Sequence, residues 1–417
     1  MGLINLDRIA IIGRKGKPIT SKSKPKPASR IRDARDARRL ARNRLPRLVF
    51  DFIEGAVGRE VSAMRNTSRF DDIMLQPRVM ADVRDRSLKT QLLGRSYDLP
   101  FGIAPMGMCN LACPNADAFL GELGKQRNLP VCLSSAASST LEEMREWAGE
   151  NAWFQLYVGQ SMEQSLALVD RAKTSGYDTL VLTVDVPQVA RRMRDLRNGF
   201  TVPFRIGPRQ FLDFALHPRW SLDTLINGAP SPRNFDAKAG ANFDRNASRA
   251  GADWAFLDRL RKLWPGNLIV KGVTSAADAK RIRGAGADAV YVSNHGGRQL
   301  DSAPAAIDLL PPIRSAVGPD YPLIFDSGLR SGEDVVKALA LGADFVMLGR
   351  PVLQALAAEG AVGLAALVDA IAGDISVAMA QLGVNSINQL DETCLWQTEV
   401  LPLSKQETDI KIAHKRA

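Results

Sequence analysis

Histidine, cysteine and long apolar stretches are all scarce in this sequence. Its 417 residues include three histidines and four cysteines. The cysteines lack a second set of ligands at zinc-site spacing, so no metal site is expected. No disulfide framework is expected either, which indicates a protein of a reducing compartment. No apolar run approaches the roughly 20 residues that cross a bilayer, and no secretory segment is recognisable near the start. The sequence therefore predicts a cytoplasmic globular protein.

Basic residues outnumber acidic ones, which leaves a formal net charge of +10 at pH 7. Such a charge favours anionic partners, for example phosphate, carboxylate or lipid head groups. Residues 1–28 carry much of it and are rich in lysine, proline and serine, which is typical of a disordered tail. Because this tail lacks interleaved aromatic residues and no nucleic-acid motif follows, no nucleic-acid partner is expected.

From Pro100 onward, short apolar runs alternate with helical stretches. There are eight such runs: Phe101–Pro105, Pro130–Ser134, Trp153–Val158, Thr179–Val184, Leu268–Lys271, Ala289–Ser293, Leu323–Asp326 and Phe345–Leu348. Most are continuous and β-branched, as parallel strands covered on both faces should be. Eight strand–helix units predict an α/β fold, a closed (βα)8 TIM barrel, with an open doubly wound sheet as the alternative.

Segments outside the repeating pattern define the domain organisation. Residues 30–55 carry two helical periodicities, with Pro46 at the start of the second helix and Gly55 at its end. About 80 residues separate the fourth strand from the fifth, far more than a crossover needs. Residues 200–250 are therefore an insertion, and its apolar content indicates either a membrane or protein contact or a lid packed on the barrel. The barrel domain is expected over 29–390, and a C-terminal tail over 391–417.

The stretch VSNHGGRQLD, residues 292–301, follows the sixth predicted strand. It places His295 and Arg298 three residues apart, with Gly296 and Gly297 between them to allow a sharp turn. A base beside a fixed cation suits a small anionic substrate that must lose a proton. A polar loop with a structural histidine is the alternative interpretation, which the strand-end position and the scarcity of histidine disfavour.

Almost every predicted strand ends in residues that can hydrogen-bond or ionise. They are Ser134, Gln155, Tyr157, Thr183, Asp185, Arg192, Lys271, His295, Arg298, Asp326, Gly328, Arg330, Gly349 and Arg350. Because (βα)8 enzymes carry their active sites at the C-terminal ends of the strands, one shared site is expected. Glycine and arginine after strands seven and eight predict a phosphate site there. Lys271 is either a Schiff-base lysine or a cation facing developing negative charge.

The stretch Ser293–Asp301 resembles the signature of the FMN-dependent 2-hydroxy-acid oxidases and dehydrogenases, which include glycolate oxidase, L-lactate dehydrogenase and mandelate dehydrogenase. Similar stretches include Trp153–Tyr157, Leu182–Asp185 and Val270–Gly272. The resemblance covers roughly residues 30–385 and implies a (βα)8 barrel that binds FMN non-covalently. It implies an enzyme that oxidises an L-2-hydroxy acid to a 2-keto acid.

The resemblance implies a catalytic role for five residues at the strand ends. His295 would take a proton from the 2-hydroxy acid, and Asp185 would hold His295 and stabilise its imidazolium. Arg298 and Arg192 would bind the substrate carboxylate. Tyr157 would bond the substrate hydroxyl or the forming keto group.

A second set of residues is implied to bind the cofactor. Lys271 would face the N1 and O2 edge of the flavin and stabilise the reduced ring, which argues against the Schiff base. Ser134, Gln155 and Thr183 would bond the isoalloxazine. The remaining residues, which would hold the ribityl chain and phosphate or line the flavin site, are Ser293, Asp326, Gly328, Arg330, Gly349 and Arg350.

Residues 208–240 are similar to the strand-four insertion of the mandelate and bacterial L-lactate dehydrogenases. The similarity implies peripheral contact with the inner face of the cytoplasmic membrane and transfer of electrons to a quinone or cytochrome. An oxygen-using oxidase is the alternative. The resemblance also implies a homo-oligomer, expected to be a tetramer.

Four features depart from the family pattern, and one of them is that the stretch Pro114–Asp117 lacks the usual acidic pattern. Phe52 stands where the family has a tyrosine that helps to bind the substrate carboxylate. Met106 replaces a threonine that meets the flavin, and Ala136 replaces the tryptophan of plant glycolate oxidase. The small Ala136 leaves room for a larger substrate side chain, whereas Phe52 and Met106 keep open a diverged flavin barrel with an altered substrate.

Overall fold

A computed structural model describes residues 28–159, 161–201, 204–235 and 248–396. The predicted basic tail, apart from Ala28, and residues 397–417 of the predicted C-terminal tail lie outside this described part. The strands are β1 (Thr90–Leu92), β2 (Arg95–Tyr97), β3 (Phe101–Met106), β4 (Val131–Ser134), β5 (Ala152–Tyr157), β6 (Thr179–Thr183), β7 (Asn267–Val273), β8 (Ala289–Val292), β9 (Leu323–Phe325) and β10 (Phe345–Leu348). The helices are α1 (Ala34–Arg44), α2 (Arg47–Glu54), α3 (Val61–Ser68), α4 (Ala116–Gln126), α5 (Leu141–Ala148), α6 (Met162–Thr174), α7 (Met193–Asn198), α8 (Pro208–Leu216), α9 (Pro218–Asn227), α10 (Trp254–Leu263), α11 (Ala276–Gly284), α12 (Leu310–Val317), α13 (Gly332–Ala340) and α14 (Arg350–Leu382).

Strands β3 to β10 form a closed barrel in which each strand pairs in parallel with the next and β10 pairs with β3. Every apolar run proposed from the sequence is one of these strands. The (βα)8 prediction is therefore confirmed, and the open-sheet alternative is wrong. Continuous apolar strands suit this closed sheet, because each strand is covered by side chains inside the barrel and by helices outside it.

The hairpin β1–β2 closes the N-terminal end of the barrel. Leu92 and Tyr97 belong to the same buried cluster as Trp153 and Phe345, which lie near the starts of their strands. The rings of Tyr97 and Phe345 are 5.6 Å apart. Because this end is filled, a ligand has to enter at the opposite end, where the strands finish.

The two helices predicted before the barrel are α1 and α2. Pro46 is the N-cap of α2, and the backbone N–H of Gly55 donates to Asp51 at its C-terminal end. α1 packs on α14, and Arg30 pairs with Glu359 at 2.8 Å. This packing places the C-terminal end of α2, from Phe52 to Gly55, at the open end of the barrel.

Helix α14 is strongly apolar on average, although it contains no continuous apolar run of about 20 residues. An 18-residue window within its 33 residues has a mean hydropathy of 1.8, which by length and composition alone would suffice. Glu359, Asp369 and Asp374 interrupt the sequence, which is why no continuous apolar run is visible. The helix leaves regular geometry at Glu359 and Gly360 and packs against α1 and α13, as the last helix of a barrel does.

The segment predicted as a C-terminal tail begins as a packed part of the domain. Trp396 donates its backbone N–H to Met74, and Gln76 donates its own to Cys394, each at 2.9 Å. Residues 391–396 thus pair with the loop that follows α3.

Candidate active site

A cavity of about 240 Å³ opens at the C-terminal ends of the strands. Ten of the residues predicted from the sequence line it: Tyr157, Arg192, Lys271, His295, Arg298, Asp326, Gly328, Arg330, Gly349 and Arg350. The other five predicted residues lie immediately behind its wall; they are Ser134, Gln155, Thr183, Asp185 and Ser293. The structure therefore brings together side chains that are far apart in the chain, as the strand-end argument required.

His295 is held between Asp185 and Tyr157. Its Nδ1 lies 3.1 Å from each carboxylate oxygen of Asp185, and its Nε2 lies 3.3 Å from the Tyr157 hydroxyl. Because a carboxylate only accepts hydrogen bonds, Nδ1 carries the ring proton and donates a hydrogen bond to Asp185. Nε2 is then left with a lone pair that faces the cavity, which is the arrangement of a general base.

Tyr157 stays protonated in this site. Burial raises the pKa of Tyr157 to about 12, and the Asp185 charge acts in the same direction. Its hydroxyl can therefore donate a hydrogen bond at neutral pH, either to His295 or to a substrate oxygen.

The loop after β8 owes its shape to left-handed backbone. His295 has φ 58° and is followed by two glycines that also have positive φ. A Cβ at Gly297 would lie 2.4 Å from the backbone nitrogen of Ala63, so only glycine allows α3 to approach this closely. Asn294 exchanges two 2.8 Å hydrogen bonds with Asn66 on α3. Asp301 accepts from the N–H of Val61 at 2.7 Å, and these contacts hold the loop.

Lys271 and Asp326 form a buried ion pair. Their Nζ and Oδ2 atoms are 3.1 Å apart, and Nζ donates to Ser293 at 2.8 Å. Burial by itself would lower the pKa of Lys271, but the charges of Asp326 and Asp185 outweigh it and the pKa is raised. Burial opposes ionisation of Asp326 too, yet Lys271 and hydrogen bonds from Ser293 and Tyr291 keep its pKa low. Lys271 is thus an ammonium ion, which is unsuited to a Schiff base.

Ser134, Gln155 and Thr183 form a buried hydrogen-bonded chain at the ends of β4, β5 and β6. Ser134 donates to Gln155, and Gln155 donates to Thr183, each at 2.9 Å. These three side chains satisfy one another in the described part of the molecule. Their bonding to an isoalloxazine ring therefore stays a prediction.

Two partly buried arginines, Arg330 and Arg350, follow the ends of β9 and β10. Burial lowers the pKa of Arg330, and burial together with the Arg330 charge lowers that of Arg350 to about 10. Arg350 donates to the carbonyl of Gly296 at 2.9 Å, and neither arginine pairs with a carboxylate within the described residues. A dianionic phosphate beside them would reverse both shifts. At the start of α14, Pro351 has no N–H, and Val352 and Leu353 donate theirs to the carbonyl of Gly349, so the two guanidinium groups are what fits the phosphate of FMN.

Arg298 donates to the C-terminal carbonyls of α2, including that of Gly55 at 2.7 Å. Its Nη atoms make these bonds, and no described residue accepts from its Nε–H. Arg192 approaches Asp195 at 3.6 Å. Both guanidinium groups lie over the ring of Phe52, which itself stacks on Phe200.

Several cavity residues were missed in the sequence. Arg249 lies 5.0 Å over the ring of Tyr157 and returns to the site from the far end of the insertion. Val186 and Val189 follow Asp185 directly and could have been found by extending that strand end. No local signal marks Arg249 or Phe200, because each reaches the site only through the folding of the insertion.

The insertion after β6 is both packed and exposed. Helices α8 and α9 bury Trp220 against the barrel, where its indole N–H donates to Leu111 at 2.8 Å. Their outer faces carry exposed apolar side chains, and Ile206, just before α8, is exposed as well; those on the helices are Phe211, Leu212, Leu216, Leu222, Leu225 and Ile226. Residues 236–240 of the predicted contact region lie outside the described residues. The packing of Trp220 fits the lid interpretation, and a membrane or protein contact on the exposed side stays a prediction.

Comparison with known proteins identifies the family. The profile of the FMN-dependent dehydrogenases matches residues 41–397. This chain belongs to that family. It is 38% identical to (S)-mandelate dehydrogenase of Pseudomonas putida over 361 residues, which is 85% of this chain and 91% of that protein. It is 36% identical to L-lactate dehydrogenase of Pseudomonas syringae over 379 residues, which is 88% of this chain and 98% of that protein.

A solved structure agrees with this assignment. The crystal structure of the monotopic membrane protein (S)-mandelate dehydrogenase superposes with a TM-score of 0.84 at 37% identity, and the match covers 89% of this chain and all of that one. The predicted family, the oxidoreductase class and the FMN cofactor are thereby confirmed. The roles of individual residues stay predictions.

Proposed function

We propose that this FMN-dependent dehydrogenase oxidises an L-2-hydroxy acid with a bulky apolar side chain, of the mandelate type, to its 2-keto acid. The observation that carries the proposal is the lone pair of His295 Nε2, which faces the cavity while Nδ1 is held by Asp185. The apolar side chains of Met108, Val186 and Val189 in the cavity wall, with the small Ala136, support the choice of side chain.

The proposed reaction removes two hydrogens from the substrate, the hydroxyl hydrogen as a proton and the carbon hydrogen with its two electrons as a hydride. His295 Nε2 accepts the hydroxyl proton, and Asp185 stabilises the imidazolium that forms. FMN, when bound, would accept the carbon hydrogen together with its two electrons. The buried ammonium of Lys271 offsets negative charge that builds up on the cofactor, because a preorganised cation in a dry site is effective there.

Arg192, Arg298 and Tyr157 hold the substrate in this proposal. The Nε–H of Arg298 and the guanidinium of Arg192 bind the carboxylate, and the Tyr157 hydroxyl bonds the substrate oxygen. Gly328, Gly349 and the partly buried Arg330 and Arg350, which all line the cavity, would hold the phosphate end of FMN.

Electrons leave for a membrane quinone or cytochrome in this proposal, and the enzyme attaches peripherally to the membrane. Exposed apolar side chains on α8 and α9 support it, as do the exposed Arg205, Arg209 and Arg219 among them. The carboxylates of Asp213 and Asp223 in the same helices are paired with His217 and Arg44. An apolar face edged with outward cations suits an anionic lipid surface. The cytoplasmic side and a tetrameric assembly stay predictions.

An anaerobic substrate panel tests the proposal. FMN-loaded protein is mixed with (S)-mandelate, L-lactate, glycolate and their D-enantiomers where these exist, and flavin absorbance is followed. We expect bleaching with L-acids and the highest kcat/KM with (S)-mandelate. No bleaching with any acid would refute the proposal. Comparable rates with oxygen and a quinone analogue would favour the oxidase alternative.

A further inference from the structure

Phe52 lies beneath both of the arginines assigned to the substrate carboxylate. The Cζ atoms of Arg192 and Arg298 are 5.7 and 5.8 Å from the centroid of its ring. A guanidinium within about 6 Å of an aromatic face is attracted by the ring quadrupole. One phenyl ring therefore contacts two cations that have to converge on one anion.

The Phe52 ring is itself held by Phe200. Their centroids are 4.5 Å apart and their planes differ by 6°. A parallel stack of this kind restricts both rings. Phe200 follows α7, and Arg192 is the N-cap of the same helix. The stack therefore connects α2 to the short segment that carries Arg192.

An aromatic cluster ties this pair to the insertion. The Phe204 ring is 6.0 Å from that of Phe200 and 6.3 Å from that of Trp220. Phe214 lies 5.4 Å from Trp220, which is buried and bonded to the barrel. Phe204 thus packs against Phe200 on the insertion side. Aromatic contacts run from the inner side of the insertion to the substrate site.

We propose that Phe52 and Phe200 are positioning residues for the substrate carboxylate. The stacked pair aligns the guanidinium groups of Arg192 and Arg298 through its ring faces. It takes the place of the hydroxyl that the family pattern supplies from a tyrosine at position 52. The inference rests on the proposed function in assuming that these arginines bind a carboxylate. It makes the insertion part of the substrate site.

Leucine variants test the pair because they keep apolar volume and remove the ring face. For Phe200→Leu and Phe52→Leu we expect KM for (S)-mandelate to rise about fivefold to twentyfold, the range of a partly desolvated cation–π contact, with kcat within about threefold. Phe200→Tyr, which keeps a ring face, should recover most of the lost affinity. Phe50→Leu is the matched control, since Phe50 lies on α2 under Arg38 and away from the cavity.

A binding measurement separates positioning from turnover. Oxalate, a dicarboxylate with no hydroxyl group to oxidise, is titrated against FMN absorbance in each FMN-loaded variant. We expect its Kd to rise by the same factor as KM in both leucine variants and to stay within about twofold in Phe50→Leu. Unchanged oxalate affinity, or an equal loss in Phe50→Leu, would overturn the proposal.

The two proposals fail in different ways. If no 2-hydroxy acid bleaches the unmodified protein, the proposed function fails, while the oxalate titration still tests the pair. Because that titration needs only folded, FMN-loaded protein, Phe52→Leu decides the matter if Phe200→Leu does not retain flavin.

Discussion

A Cβ placed on Gly272 would lie 2.5 Å from both Cβ and Cγ of Asp185. The aspartate that holds His295 therefore occupies the space that this glycine leaves. Gly272 has φ +100°, which a residue with a side chain rarely adopts. The absence of a side chain at Gly272, next to Lys271, thus leaves the space in which Asp185 lies.

Gly272→Ala should displace Asp185 and lower kcat by more than about tenfold, because His295 loses its orienting partner. Steady-state kinetics of the FMN-loaded variant would measure the loss. Gly284→Ala is the control, since a Cβ there meets nothing within 4 Å. A Gly272→Ala enzyme with unchanged kcat would show that Asp185 can move without consequence.

His295→Gln should keep FMN but lose flavin reduction by about 10²–10⁴-fold, the usual contribution of a general base. Asp185→Asn should also be slow, because an amide cannot stabilise the imidazolium in the way that a carboxylate does. Anaerobic stopped-flow absorbance measures both rates. Retained reduction in His295→Gln would contradict the assignment of the base.

Arg350→Met should release FMN, since it removes a partly buried cation from the proposed phosphate cradle. We expect the Kd for FMN to rise about tenfold or more, in keeping with the loss of a charge-assisted hydrogen bond of 1.5–3 kcal/mol. Quenching of flavin fluorescence measures the affinity. Arg127→Met serves as the control, because Arg127 pairs with Asp369 at the surface. Equal FMN affinity in both variants would place the phosphate elsewhere.

Replacing Leu225 and Ile226 by serine should move the protein from membranes to the soluble fraction. Both side chains are 80% exposed at the end of α9, and burying each in an interface contributes roughly 1.5–3 kcal/mol at most. Sedimentation with anionic vesicles would measure at least about a tenfold loss of binding. Serine at Val79 and Met80, which are equally exposed outside the insertion, is the control. A wild-type protein that does not bind vesicles would contradict the membrane proposal.

Asp117→Asn should change how stability depends on pH. Burial raises the pKa of Asp117 to about 6, and no described residue hydrogen-bonds to its Oδ2. The folded protein thus binds this proton more tightly than the unfolded chain, so stability falls as pH rises from about 4 to about 6. The Tm of Asp117→Asn relative to wild type should increase by a few degrees over that range. Asp320→Asn, at an exposed position, should show no such trend.

The strands, and the loops that carry the site, could be predicted from the chain alone. Buried parallel strands have to be continuously apolar, so eight runs were visible without any tertiary information. The glycine turn at His295 and the arginine-bearing loops near Arg330 and Arg350 were visible for the same reason, since each is local. Helix α14 was less clear, because isolated carboxylates such as Glu359 hid a strongly apolar average.

Other parts of the site depend on distant contacts. The pairing with Asp326 determines the charge state of Lys271. Asp326 lies 55 residues further along the chain, so the sequence around Lys271 does not reveal this partner. Arg249 reaches Tyr157 only because the insertion returns to the barrel.

The sequence by itself determined the barrel, the end at which chemistry takes place and the residue types available there, because periodicity and backbone turns are local properties. Only the tertiary structure decided what surrounds Phe52. From the sequence, Phe52 was visible only as a position at which the family's tyrosine hydroxyl is missing. In the structure its ring lies against Phe200 and beneath Arg192 and Arg298. Side chains from distant segments meet according to how the core packs, and close packing has no signature in any one stretch of the chain.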